Sequence, residues 1–89
     1  MPGKLSISQN REYIDKLDDE LLSLLNKRGE LSLKIREIKK FSGEEIYDPE
    51  REEQIIKRLC KKNKGPLSDE NIRELYLNIL KIMKELPEK

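Results

Sequence analysis

Arg28 stands where the pattern of the chain calls for a leucine. From Ile14 onward apolar residues recur at heptad spacing: Ile14, Leu17, Leu21 and Leu24, then Leu31, Ile35 and Ile38. The missing member, between Leu24 and Leu31, is Arg28. A guanidinium on the buried stripe of a helix is costly unless something neutralises it. No Asp or Glu lies one helical turn away, at positions 24, 25, 31 or 32. The counter-charge is therefore distant in sequence or is a ligand. Lys39 follows eleven residues later, three turns plus ~20°, so the two cations share a face with Cα atoms ~16 Å apart. Side chains reaching ~6–7 Å let both converge on one small anion between them. Arg11 lies ~25 Å from Arg28 along the same axis and cannot touch that anion in its own chain. In an antiparallel pair of such helices centred near 21–24, Arg11 of the second copy falls opposite Leu33. Three cations then surround one pocket, one of them supplied in trans.

A second polar group follows, Asp48-Pro49-Glu50-Arg51-Glu52. Glu52 opens the stripe Glu52, Ile55, Ile56, Leu59 and so faces inward at a helix start, with Arg51 beside it. An inward carboxylate near three cations suits a ligand hydroxyl, which needs an acceptor. Each residue also has a plainer reading. Arg28 can be a snorkelling or interface-paired arginine. Lys39, beside Lys40, can serve the negative end of a helix dipole, and the acids near 48–52 its positive end. Arg11 can be a solvated surface residue. The conjunction of all of them argues for a site.

Three helices carry these residues, expected over about 8–41, 49–63 and 69–86, and no stretch alternates like a strand. The first is ~50 Å long at 1.5 Å per residue. Gly29 interrupts it at a cost of roughly 1 kcal/mol, and Ser42-Gly43 ends it. Asp48 caps the second, with Pro49 at its first position and Glu50 in its first turn. Lys61-Lys62-Asn63-Lys64-Gly65-Pro66 closes it. The third starts at Ser68 and carries the stripe Ile72, Leu75, Tyr76, Ile79, Leu80, Met83 and Leu86, with Pro87 as its stop. Two short helices cannot cover the whole stripe of the long one. A heptad seam of about four repeats points to a second chain, hence to an all-α fold of three helices, one very long, in an intertwined homodimer.

Composition bounds the function. The chain has 89 residues, enough for one small helical domain over 1–89, with 42% charged residues and a formal net charge of +1. Acids and bases interleave, which argues against a nucleic-acid surface. With no His and a single Cys, Cys60, a zinc site is not expected and no intrachain disulfide can form. Neither a signal peptide nor an apolar bilayer span is visible, and the lone thiol fits a reducing compartment, so the cytoplasm is the expected location and no membrane partner is expected.

The order Arg11-Glu12-x-Ile14-Asp15-x-Leu17-Asp18, Leu24-Leu25-x-x-Arg28, Ile38-Lys39, Tyr47-Asp48-Pro49-x-Arg51-Glu52 and Gly65-Pro66-Leu67 resembles chorismate mutase of the all-helical class. The resemblance runs from about Arg11 to Leu86. It implies an intertwined homodimer that converts chorismate to prephenate by a [3,3] sigmatropic rearrangement in aromatic amino-acid synthesis, without a cofactor or metal. It implies that Arg28, and Arg11 from the other chain, bind the two substrate carboxylates. Lys39 would donate to the ether oxygen and Glu52 accept from the ring hydroxyl, with Asp48 and Arg51 completing the polar wall. Paired Arg forks suit such a dianion, and a fixed cation at the breaking C–O bond favours the transition state.

The third helix departs from that family's pattern, which has a small or hydroxyl residue and, four residues later, a Gln or Glu. Alignment on the apolar stripe puts Met83 and Pro87 there, neither able to hydrogen-bond through its side chain. A shift of one residue puts Lys84 and Glu88 there but breaks the apolar phase, and Glu88 reaches the pocket if the chain turns at Pro87. Two other functions compete. One is isochorismate-pyruvate lyase on the same fold, against which the Asp-Pro-x-Arg-Glu opening with Glu52 speaks. The other is a non-catalytic helical dimerisation module, in which Arg28 pairs with a protein carboxylate. The family occurs free-standing and fused to prephenate dehydratase, prephenate dehydrogenase or the first enzyme of the shikimate pathway.

Overall fold

A computed structural model describes residues 5–88. It contains three helices, α1 (Ile7–Ser42), α2 (Pro49–Lys62) and α3 (Asp69–Glu85), and no strand among the described residues. The chain divides into two units, one ending at Leu31 and one beginning at Ser32.

The first unit is the N-terminal part of α1. Its start is set by a reciprocal cap: Gln9 N–H donates to Ser6 Oγ (3.1 Å) and Ser6 N–H to Gln9 Oε1 (2.9 Å). This is the Ser-x-x-Gln capping box, which satisfies two of the orphan amides of a helix start. It places the beginning slightly before the expected residue 8. Along this part Ile14, Leu17, Leu21, Leu24 and Leu31 are all exposed, while Leu25 and Arg28 are half-buried and Gly29 is buried.

The second unit holds the end of α1 with α2 and α3. Gly43 ends α1 in the left-handed region, φ +75°, and Glu44 N–H donates back to Lys39 O at 3.1 Å. A side chain at that φ would be strained, which explains the glycine. Asp48 accepts from Arg51 N–H (3.0 Å) and caps α2. At its other end Asn63 Nδ2 donates to Leu67 O (2.6 Å) and shapes the turn. Ser68 and Asn71 form the capping box of α3.

Helices α2 and α3 pack through Ile55, Ile56 and Leu80, bordered by Leu59, Cys60 and Tyr76, with Ile72 and Met83 also buried. Burial of the Cys60 thiol pushes its pKa up, so it is a core-edge hydrophobe rather than a ready thiolate. Leu75, expected in the α3 stripe, is exposed. It sits ~60° of helical rotation from Ile72, off the line through Tyr76, Leu80 and Met83.

The seam of α1 behaves differently from its expected half-covered state. Ile35 and Ile38 are exposed like the seam residues before them, and Phe41 is 88% exposed. The half-buried positions here are Ser32, Leu33, Arg36 and Lys39, on a neighbouring face. The leucine seam is thus left open along its whole length within the chain.

Candidate active site

Lys39 is half-buried in the last turns of α1 and lines a depression of about 490 Å³ together with Glu44, Glu45, Tyr47, Asp48, Pro49 and Glu50. The depression is of ligand size. Two of the expected site residues, Lys39 and Asp48, are therefore brought to one surface. Asp48 arrives there because it caps α2, and Lys39 because Gly43 turns the chain back directly after α1. Among the described residues, the rim carries four carboxylates against one ammonium. That balance does not suit a dianion by itself, so binding one requires guanidinium groups from outside this segment.

Glu52 lies one turn into α2 and is largely covered, with 19% of its side chain exposed. Its Oε2 is 3.1 Å from Lys84 Nζ on α3. The same ammonium lies over the Tyr47 ring, 4.6 Å from its centroid, a cation–π distance. Arg51 is exposed at the same helix start. Arg11 is exposed and Arg28 half-buried on the N-terminal part of α1.

At the end of α3, Met83 is buried in the core and points away from solvent, whereas Lys84 meets Glu52 and Tyr47. The one-residue shift, not the register through Met83 and Pro87, thus brings a polar α3 side chain to Glu52. Glu88 pairs with Lys40. The Lys40 ammonium, by hydrogen bond and by charge, holds the Glu88 carboxyl below its ordinary value of 4.5. Glu88 is accordingly an ionised acceptor near neutrality, not a protonated donor.

Arg36 was silent in the sequence. Its Nη1 donates to Leu86 O (2.7 Å) and its Nη2 to Met83 O (2.7 Å) and Lys84 O (3.0 Å). The guanidinium therefore fixes the turn of α3 that carries Lys84. The only sequence signal for it was its place one turn before Lys39 on the less apolar face of α1.

The family model for chorismate mutase type II matches residues 10–88. A chorismate mutase of Methanocaldococcus jannaschii is 39% identical over 74 residues, covering 83% of this chain and 75% of that protein. A bifunctional chorismate mutase/prephenate dehydratase of Neisseria gonorrhoeae is 38% identical over 71 residues, 80% of this chain, which spans 19% of that longer protein. Among solved structures, form II of the chorismate mutase of Thermus thermophilus superposes with a TM-score of 0.88 at 38% identity, covering 90% of this chain and 91% of that one. The chorismate mutase of Helicobacter pylori in complex with prephenate superposes with a TM-score of 0.80 at 38% identity, covering 91% and 97%. A match that takes in all three helices and every charged position singled out from Arg11 to Glu88 leaves no ambiguity of lineage: the chain belongs to the chorismate mutase type II family.

Proposed function

We propose that this chain is an isomerase converting chorismate to prephenate, the branch towards phenylalanine and tyrosine, and that it works in the cytoplasm as an intertwined homodimer. The family match over residues 10–88 carries the reading. The prephenate complex of the similar Helicobacter pylori protein supports the choice of substrate and product. In this reading Arg28 and Arg11 of the partner subunit take the two substrate carboxylates through forked hydrogen bonds and supply the positive charge that the acid-rimmed depression lacks. They also hold the substrate in the compact conformer from which the rearrangement starts, so positioning supplies much of the rate.

The reaction breaks the ether C–O bond as a C–C bond forms, within one molecule, so no nucleophile, general base or redox partner is needed. Negative charge grows on the ether oxygen as the bond stretches. Lys39 donates there and stabilises the transition state more than the ground state. Glu52 accepts from the ring hydroxyl, Asp48 and Arg51 complete the wall, and Glu88 joins it at the rim as the partner of Lys40. The exposed seam Ile14, Leu17, Leu21, Leu24, Leu31, Ile35 and Ile38 is the dimer contact. The test is to incubate the purified chain with chorismate, follow loss of its absorbance and identify the products. Prephenate is the expected product. Pyruvate release from isochorismate would establish the lyase instead, and no turnover of either would leave a dimerisation module.

A further inference from the structure

The geometry points to Lys84 as a positioning residue for Glu52: an ammonium on α3 that holds the α2 carboxylate in the orientation that receives a ligand hydroxyl. The inference rests on the activity proposed above and adds a residue to it.

Lys84 directly follows the buried Met83, so its stem leaves the border of the packed face of α3. Its ammonium, although partly solvated, is turned onto two neighbouring groups. It reaches Glu52 Oε2 at 3.1 Å and the Tyr47 ring at 4.6 Å from the centroid. One cation thus joins α3 to α2 and to the segment between α1 and α2. Tyr47 also lines the depression that contains Lys39 and Asp48. The backbone of Lys84 is held as well, because Arg36 donates to Met83 O, Lys84 O and Leu86 O. With its Cα set, the lysine has less freedom to lose on pairing than a lysine on a loose turn.

The chemistry requires such a group. A carboxylate offers about four lone-pair sites, so the pair with Lys84 leaves acceptor capacity for a hydroxyl. An uncompensated carboxylate beside a dianionic substrate would repel it, and the Lys84 charge offsets that repulsion. The Lys84 side chain is 41% exposed, and partly solvated ion pairs contribute little to folding. A residue kept for stability and one kept for positioning therefore differ in what their loss changes.

The experiment compares wild type, Lys84→Met, Lys84→Arg, Glu52→Gln and the Lys84→Met/Glu52→Gln double variant, measuring kcat and KM on chorismate and Tm for each. A small misplacement of a reacting geometry costs up to about 100-fold, so Lys84→Met is expected to lose roughly 10- to 100-fold in kcat/KM with Tm close to wild type. In the Glu52→Gln background the same change should cost less than about twofold, since the group through which Lys84 acts is already gone. Lys84→Arg should keep most of the rate. A Lys84→Met enzyme with wild-type kcat/KM overturns the inference. So does a loss that multiplies with that of Glu52→Gln, or a loss that tracks a fall in Tm. If the wild type does not turn over chorismate, the proposed activity fails and this inference with it. Turnover with an indifferent Lys84 removes the inference alone.

Discussion

Lys39 is the residue on which the proposed chemistry depends most. Among the described residues it is the one ammonium on an acid-rimmed depression, and the proposed reaction asks for a full positive charge where the ether oxygen becomes negative. Loss of one such donor typically costs ~3–4 kcal/mol, so Lys39→Ala should lower kcat by about two to three orders of magnitude. Lys39→Gln, a neutral donor, should recover little of it in the same steady-state assay. Glu88 makes a different prediction. Its carboxyl titrates near 4.5 when unpaired and lower in the folded chain, where Lys40 favours the charged form. The pair therefore contributes above the unpaired value and is lost as pH falls through the lower, folded value. Lys40→Met should show a slightly lower Tm than wild type at pH 7, and the difference should vanish once the pH falls below the lowered, folded value of Glu88, in thermal unfolding across a pH series. The effect is small because both partners are half exposed.

At the scale of the helices, the end of α3 depends on a residue of α1. Helix α3 closes at Leu86 in extended backbone, with no glycine in left-handed conformation to satisfy its last carbonyls. Arg36 does that work from outside, with three donated hydrogen bonds. Arg36→Met leaves the partly buried Met83 O and Leu86 O without this donor and should destabilise by about 1–3 kcal/mol. At about 4–8 °C per kcal/mol for a chain of this size, differential scanning calorimetry should see the change clearly. Arg36→Lys should restore only part, because an ammonium lacks the planar fork. Local features were legible in the sequence: Asp48 and Ser68 cap helices in the structure as their residue types and positions indicate. The Ser6–Gln9 box was also readable, three residues apart, though the helix was expected to begin later. The role of Arg36 and the pairing of Lys84 with Glu52 were not readable, because the partners lie 47 to 50 residues away for the first and 32 for the second. Finding them requires knowing which face of α1 serves its own chain. The apolar stripe, the strongest signal, directed attention to the opposite choice. It is the exposed seam, while Ser32, Leu33, Arg36 and Lys39 form the partly covered face. Apolar phase alone favours Met83 and Pro87, and it is the alternative register, through Lys84, that meets Glu52.

At the scale of the whole molecule, a shared site can be tested without a structure of the assembly. Arg11→Ala and Arg28→Ala should each be nearly inactive. Mixing them should restore activity, because in a mixed dimer one of the two sites draws Arg28 and Arg11 from unmutated positions. Subunit exchange is to be confirmed independently by labelled chains, and exchange without recovered turnover would show that each site is built from one chain. Sedimentation at micromolar concentration should give twice the chain mass. The charged residues from Arg11 to Glu52 allowed this arrangement to be framed from sequence, since their spacing places one cation beyond reach of the others.

The modest core of α2 and α3 carries a further consequence. Ile55, Ile56, Ile72, Leu80 and Met83 are the buried apolar side chains among the described residues, and the largest apolar stripe of the chain lies outside them. So small an interior beside so much uncovered leucine is what the proposed homodimer would complete. In the proposed homodimer, folding and self-recognition are one equilibrium governed by mass action, and the melting temperature is a function of how much protein is present. The amount of this chain in a cell would therefore set both how many catalysts exist and what fraction of the chains are catalysts. Halving its synthesis would lower flux by more than half once the concentration approaches the dissociation constant, a steep dose response that a monomeric enzyme of the same rate would not have.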